Sequence, residues 1–278
     1  MKLLKNLLKE PAFVFGVCLF SLTILLALLG PLFVKINIGS EYLPYIQPGS
    51  EGLALGSDHG GRDMVSMLIS GLQNSLYVGF LAGIIATTLG TFLGVYAGFK
   101  GGFIDNFINM VTNLFLVIPS FVVLLLISSS LEGGRSLQLI AVIIGFTIWP
   151  WTARSVRAQT SSLKSSEHIN LARVNGADTF CILTKHILPY LLSYVFMVFI
   201  IQVASGILQE ASISMLGLGP YDSVSLGIIM NDAMRNEALG DGAWWAFVPA
   251  SMLITSIVFA LYALNTSMEG VFNPALRK

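Results

Sequence analysis

Residues 167–189 read EHINLARVNGADTFCILTKHILP, a polar and basic island between two long apolar runs. Glu167 to Val174 has the composition of a short helix, Asn175-Gly176 that of its stop, and Asp178 caps a second helix. Glycine suits the stop because it enters the left-handed backbone region without a Cβ penalty. Pro189 is expected to close the second helix. The predicted unit is a helix, a turn and a helix, lying outside the apolar stretches on either side.

Those apolar runs set the fold class. Of 278 residues, 55% are hydrophobic and 11% charged, and the mean hydropathy is +0.79. Soluble domains carry charge on about a quarter of their residues, so this is an integral membrane protein. A spanning helix needs about 20 mostly apolar residues. Runs of that kind cover Pro11 to Val34, Ser75 to Phe99, Asn109 to Leu131, Leu137 to Ala153, Leu188 to Leu208 and Trp245 to Leu264. The expectation is an all-α integral membrane protein with six transmembrane helices. In the fourth and shortest run, Trp149, Pro150 and Trp151 sit where an interfacial anchor would. The first run exceeds a signal-peptide core and lacks a small-residue cleavage site before Lys35, so it reads as a retained span.

Formal net charge is zero, which gives no case for nucleic-acid binding, but the cations are unevenly placed. With both termini inside, the cytoplasmic segments hold Lys2, Lys5, Lys9, Lys100, Arg154, Arg157, Lys164, Arg173, Lys185, Arg277 and Lys278. The external ones hold only Lys35, Arg62, Arg135 and Arg235. Cytoplasmic loops carry the Lys and Arg excess, so the island belongs in the cytoplasm. Cys18 and Cys181 have neither metal nor disulfide spacing and read as packing residues.

Outside lies Lys35 to Asn74. Asp63 is placed to cap a helix with Val65, Leu68, Ile69 and Leu72 at helical spacing, an amphipathic helix at the outer surface. Asp58, His59, Arg62 and Asp63 read either as turn and cap or as a patch that docks an external protein; His59 has no metal-ligand pattern. In the second span, Gly79 and Gly83, then Gly90, Gly94 and Gly98, are spaced by four, which lets helix backbones approach closely. Pro119 should kink the third span, and Asn109 and Asn113 turn that face toward the protein interior or a pathway. An acid at mid-bilayer is costly. Glu210, near the end of the fifth span, is therefore read as a solvated outer helix end, with a pathway or gate role as the alternative.

Ala172, Gly176, Leu188 and Pro189 fall in the register Glu-Ala-Ala, three residues, Gly, nine residues, Ile, one residue, Leu-Pro. The island thereby resembles the "EAA" loop of ABC importer permeases, with Asn170, Leu171 and His186 departing from it. LGSDHGGRD, AGFKGGFIDNF, LFLVIPS, SMLGLG and FNPALR follow in that order over about four-fifths of the chain. They look like the shorter, C-type membrane subunit of the dipeptide, oligopeptide and nickel importers. GPYDSVSLG and GAWWAFVP are similar to members associated with oligosaccharide uptake, which leaves the substrate open.

The resemblance implies a permease domain over 75–278 with a coupling loop at 167–189, preceded over 1–74 by a tail, the first helix and the external segment. It implies ATPase contact through Glu167, Asn170, Leu171, Ala172, Arg173, Gly176, Ala177, His186, Leu188 and Pro189. The implied partners are a second permease subunit in a heterodimer, two ATP-binding subunits and an extracellular substrate-binding protein, in the plasma or inner membrane of a prokaryote. No cofactor is expected on this chain; ATP and Mg belong to the partner subunits. The residues agree, since they hold no G-x-x-x-x-G-K-[ST] phosphate loop, and the chain is expected to be no enzyme. The solute is then a peptide, an oligosaccharide or a nickel chelate. An ion-gradient-driven secondary transporter or channel is the alternative. It wants paired ionisable residues inside the membrane, and the predicted span interiors hold essentially none.

The orientation has a direct test. A cysteine placed at Ser165, with Cys18 and Cys181 replaced by serine, is expected to react with an impermeant maleimide only from the cytoplasmic side. Labelling from outside would invert the topology.

Overall fold

A computed structural model describes residues 7–131 and 135–272. Lys2, Lys5, Arg277 and Lys278, used above for orientation, and most of the terminal FNPALR stretch lie outside the described residues. The described chain is helical: α1 (Pro11–Phe33), α2 (Met64–Lys100), α3 (Gly102–Val117), α4 (Ser120–Ser130), α5 (Leu137–Lys164), α6 (Glu167–Val174), α7 (Thr179–Leu218), α8 (Leu226–Arg235) and α9 (Val248–Phe272). Among the described residues five helices are long and apolar enough to cross a membrane, or six when the bent α3–α4 pair is counted as one span, against the six expected.

The centre of the bundle is α2. Its 37 residues extend about 55 Å at 1.5 Å per residue, well beyond a hydrocarbon core of about 30 Å. Asp63 caps it as expected, accepting from the backbone N–H of Val65 at 3.2 Å and Ser66 at 3.0 Å. The separate surface helix expected after Asp63 is instead the first turns of α2, and Ser75 falls inside the helix. No breaker interrupts the run. Met64, Met67, Leu68 and Leu72 are buried against α8 and the Trp245 region rather than facing a membrane surface.

The glycines decide how closely α2 is packed. A Cβ added at Gly90 would lie 2.8 Å from the carbonyl oxygen of Trp149, at Gly94 2.6 Å from that of Ala153, and at Gly98 2.7 Å from that of Arg157. One stripe thus runs along the backbone of α5. Gly79 and Gly83 do the same against Val203 and Ile207 of α7. Without a strong hydrophobic drive between helices in lipid, such close van der Waals contact carries the association.

Two prolines behave differently from expectation and one as expected. Pro119 breaks the third span, and α3 and α4 meet at 76°. Pro150 lies inside α5, which runs on to Lys164; Trp149 is buried against Phe115 at 5.6 Å instead of anchoring an interface, whereas Trp151 is exposed. Nor does Pro189 close a helix. The chain passes it by a π-helical segment, Ile182–Ile187, in which Leu188 N–H bonds the carbonyl of Leu183, five residues back. A wider turn relieves the clash a proline ring makes with the carbonyl four residues earlier. The island is therefore continuous with the membrane helix that follows it.

Gly94→Val is expected to destabilise the bundle by about 1–3 kcal/mol, as overpacking does, because its nearest neighbours are backbone atoms. Gly270→Ala, where an added Cβ meets nothing within 4 Å, should be silent. Thermal unfolding in detergent compares them, and equal midpoints would remove the stripe from the account of packing.

Candidate functional site

Where α3 turns away from α4, the facing surfaces of α5, α7 and α9 are left uncovered. They form a groove of about 490 Å³ lined by Phe115, Pro119, Ser120, Thr147, Trp151, Gln202, Ser205, Gln209 and Tyr262, among others. Its polar lining is neutral, made of amides and hydroxyls. Gln209 Nε2 donates to Ser120 Oγ at 3.0 Å, leaving its buried carbonyl oxygen without a partner among the described residues. Gln202 Nε2 donates to the carbonyl of Ile148 at 3.0 Å and to Thr152 Oγ1 at 2.5 Å, which holds α7 to α5 beside Pro150.

Nearer the start of α3, outside the groove's lining, stand charged groups. Arg157 makes a two-pronged contact with Asp105, Nε to Oδ1 at 2.5 Å and Nη2 to Oδ2 at 2.7 Å. Asn109 donates to the same carboxylate at 2.9 Å, and Arg154 donates to Asn113 Oδ1 at 2.5 Å. At the far end Arg135 is bonded to the Tyr221 hydroxyl and lies over its ring, 4.2 Å from the centroid. Asn109, Asn113 and Pro119 thus fall along one broken helix beside the groove. Asp105, Arg157, Gln202 and Ser120 were missed as site residues because they belong to different helices and share no local spacing.

Glu210 is not solvated. It is fully buried, accepting from Ser75 Oγ at 3.0 Å and Ser214 Oγ at 2.7 Å, and Ser75 Oγ in turn accepts from Leu226 N–H at 3.2 Å. An acid deep in an apolar bundle must find polar partners, and these come from α2, through Ser75, and from the next turn of α7 itself, through Ser214. Through Ser75 the carboxylate links α7 to α2 and to the start of α8.

Outside the bundle, Arg62 bridges Asp58 at 2.5 Å and Asp232 at 2.8 Å. Burial works against its charge, but the two carboxylates outweigh burial and its pKa is raised. His59 lies against Tyr45 at 5.8 Å, and the Tyr45 hydroxyl donates to the carbonyl of Asn236 at 2.9 Å. Asp58, Arg62 and Asp63 therefore all serve the internal architecture of this cap.

The island is built as the residues suggest. Gly176 takes φ +82°. Its N–H bonds Arg173 O at 3.0 Å and Ala177 N–H bonds Ala172 O at 3.0 Å, the paired bonds of a Schellman stop. Asp178 caps α7 through Cys181 N–H at 3.2 Å. Ile169, Ala172, Ile182 and Ile187 bury against Val95, Phe99 and Val156, while Arg173 and Lys164 sit over the Phe99 ring. Glu167, Asn170, Leu171, Arg173 and Pro189 are exposed, His186, Ala177 and Leu188 are half-buried, and Ala172 faces inward. Leu171, Val174 and Phe180 leave an apolar tip, 63%, 84% and 72% exposed.

A multi-pass bundle with an open neutral groove on its flank and a stiff polar element at one end has the build of a membrane transport subunit. Residues 90–269 match the family described as "Binding-protein-dependent transport system inner membrane component", and the chain belongs to it. It is 29% identical over 240 residues to the "Oligopeptide transport system permease protein OppC" of Lactococcus lactis subsp. lactis (strain IL1403), covering 86% of this chain and 80% of the relative. It is 30% identical over 265 residues to the protein of the same name from Mycobacterium tuberculosis (strain H37Rv), covering 91% and 89%. The chain is thus a multi-pass permease subunit of the binding-protein-dependent importers of the bacterial inner membrane.

Glu210→Ala should cost about 1–3 kcal/mol for each serine donor left unpaired, and Glu210→Gln, which keeps an acceptor, distinctly less. Melting midpoints in detergent separate the two. Identical values would mean that hydrogen bonding at Glu210 does not hold the junction.

Proposed function

We propose that this chain forms half of the solute path of an ATP-driven importer and transmits work from separate ATPase subunits through residues 167–189. The observation that carries the reading is the apolar tip of the island. Leu171, Val174 and Phe180 are exposed on an element whose other face is buried against α2 and α5. Exposed apolar residues on a stiff, water-facing loop are the mark of a docking surface. The charge asymmetry of the sequence puts that loop in the cytoplasm, where the nucleotide is.

In this reading two ATP-binding subunits seat one such loop from each permease of a heterodimer, and their closure moves the loops as rigid levers. Glu167, Asn170, Leu171, Arg173 and Gly176 meet the ATPase, Ala172 fixes the helix to the bundle, and His186, Ala177, Leu188 and Pro189 form the flank that returns to the membrane. The groove beside Pro119, with Asn109 and Asn113, faces the second permease and supplies one wall of the path. Its amides and hydroxyls exchange hydrogen bonds with a hydrated solute without trapping a charge. Names of the relatives support a peptide as that solute; an oligosaccharide or nickel chelate suits the same neutral wall. An extracellular binding protein delivers it to the outer cap that contains Asp58, His59, Arg62 and Asp63. ATP and Mg stay on the partner subunits.

Gly176→Trp tests the coupling role. A side chain there meets nothing within 4 Å inside the chain, so the fold bears only the backbone strain of a positive φ, about 1–3 kcal/mol, while the docking face is blocked. In proteoliposomes carrying the full complex, the variant is expected to insert normally and to lose both solute uptake and binding-protein-stimulated ATP hydrolysis. Wild-type values for both would remove the coupling assignment.

A further inference from the structure

The broken span is held to the bundle in an unusual way. Among the residues of α3 only Thr112 is buried, and its apolar contacts with the bundle are few, chiefly Val111 and Phe115. Its fastenings are polar: Asp105 to Arg157 near its start and Asn113 to Arg154 two turns on, with Phe115 against Trp149 above them. All three partners lie on α5. The two-pronged guanidinium–carboxylate contact fixes orientation as well as distance, and its side chains are largely withdrawn from solvent, Asp105 15% and Arg157 34% exposed.

The position of α5 gives this seam a consequence. Only Ser165 and Ser166 separate α5 from the island helix α6, and the turn between them is tight: Ser166 N–H bonds Leu163 O at 2.9 Å and Ile169 N–H bonds Ser166 O at 3.2 Å. Arg157 therefore sits two turns from the island on a continuous rod. At its other end α3 is broken from α4 at Pro119, and the two helices meet at 76°. Rotation about this break changes the mouth of the groove while α4 stays against α5 and α7 through Leu124 and the Ser120–Gln209 bond.

We infer that Asp105 and Arg157 are positioning residues that couple the island to the groove: they make α3 follow α5, so that displacement of the island becomes a swing of α3 about Pro119. The inference rests on the coupling reading above. Removing the pair leaves the docking face and the groove lining in place but releases the start of α3, the arm farthest from Pro119, from α5.

The test uses the complete complex, with the second permease, the ATPases and the binding protein, in lipid nanodiscs. Spin labels replace Phe107 on α3 and Leu126 on α4, both exposed, in a background where Cys18 and Cys181 are serine. Double electron–electron resonance then reads the α3–α4 distance with and without ATP and vanadate. The parent is expected to show a nucleotide-dependent shift. Asp105→Asn should lose that shift while its ATPases still bind and hydrolyse ATP, and the swapped pair Asp105→Arg with Arg157→Asp should restore it. A parental shift in Asp105→Asn overturns the inference, as does a swap that fails to restore it. A shift that persists in Gly176→Trp instead faults the coupling reading, and the transmission with it.

Discussion

Everything in this protein depends on how near α2 can come to α5 and α7. Where Gly90, Gly94 and Gly98 face Trp149, Ala153 and Arg157, any side chain would collide with backbone oxygen, and in a bilayer close backbone contact replaces the hydrophobic drive that assembles soluble bundles. The long α2 then serves as a spine. One end is buried by the cap around Trp245, and the other, at Val95 and Phe99, carries the island. Both water-exposed elements are thus fastened to one rod.

With that rod in place, the polar residues divide into those that hold the bundle together and those that line the groove. Glu210, Ser75 and Ser214 hold a buried junction, and Arg62 with Asp58 and Asp232 holds the cap around Trp245. The groove takes only neutral groups, and charge stands outside its lining as the Asp105–Arg157 pair.

The fold was largely legible in the residues. Apolar runs of spanning length, the Asp63 cap, the break at Pro119 and the Gly176 stop are local, and each appears where the residue chemistry demands it. Errors gathered where a local signal was overridden by packing. Pro189 looked like a terminator and Trp149 to Trp151 like an interfacial anchor, but α5 runs on past Pro150 and a π turn carries the chain past Pro189. Met64 to Leu72 looked like a surface helix, yet its apolar face had a protein partner more than 150 residues away, in Leu226 and Ile229. Glu210 looked like a solvated end for the same reason: its serine partner on α2 is 135 residues distant.

By itself the sequence determined the membrane class, the number of spans and the construction of the island. These follow from hydrophobic length and from turn chemistry acting within a few residues. It also determined that small residues line one face of the second span. Only the tertiary structure decided which helices that face would meet, that Asp105 would reach Arg157, and that a neutral groove would open beside Pro119. Those outcomes depend on residues brought together across 50 or more positions, and no periodicity along the chain encodes a distance of that kind.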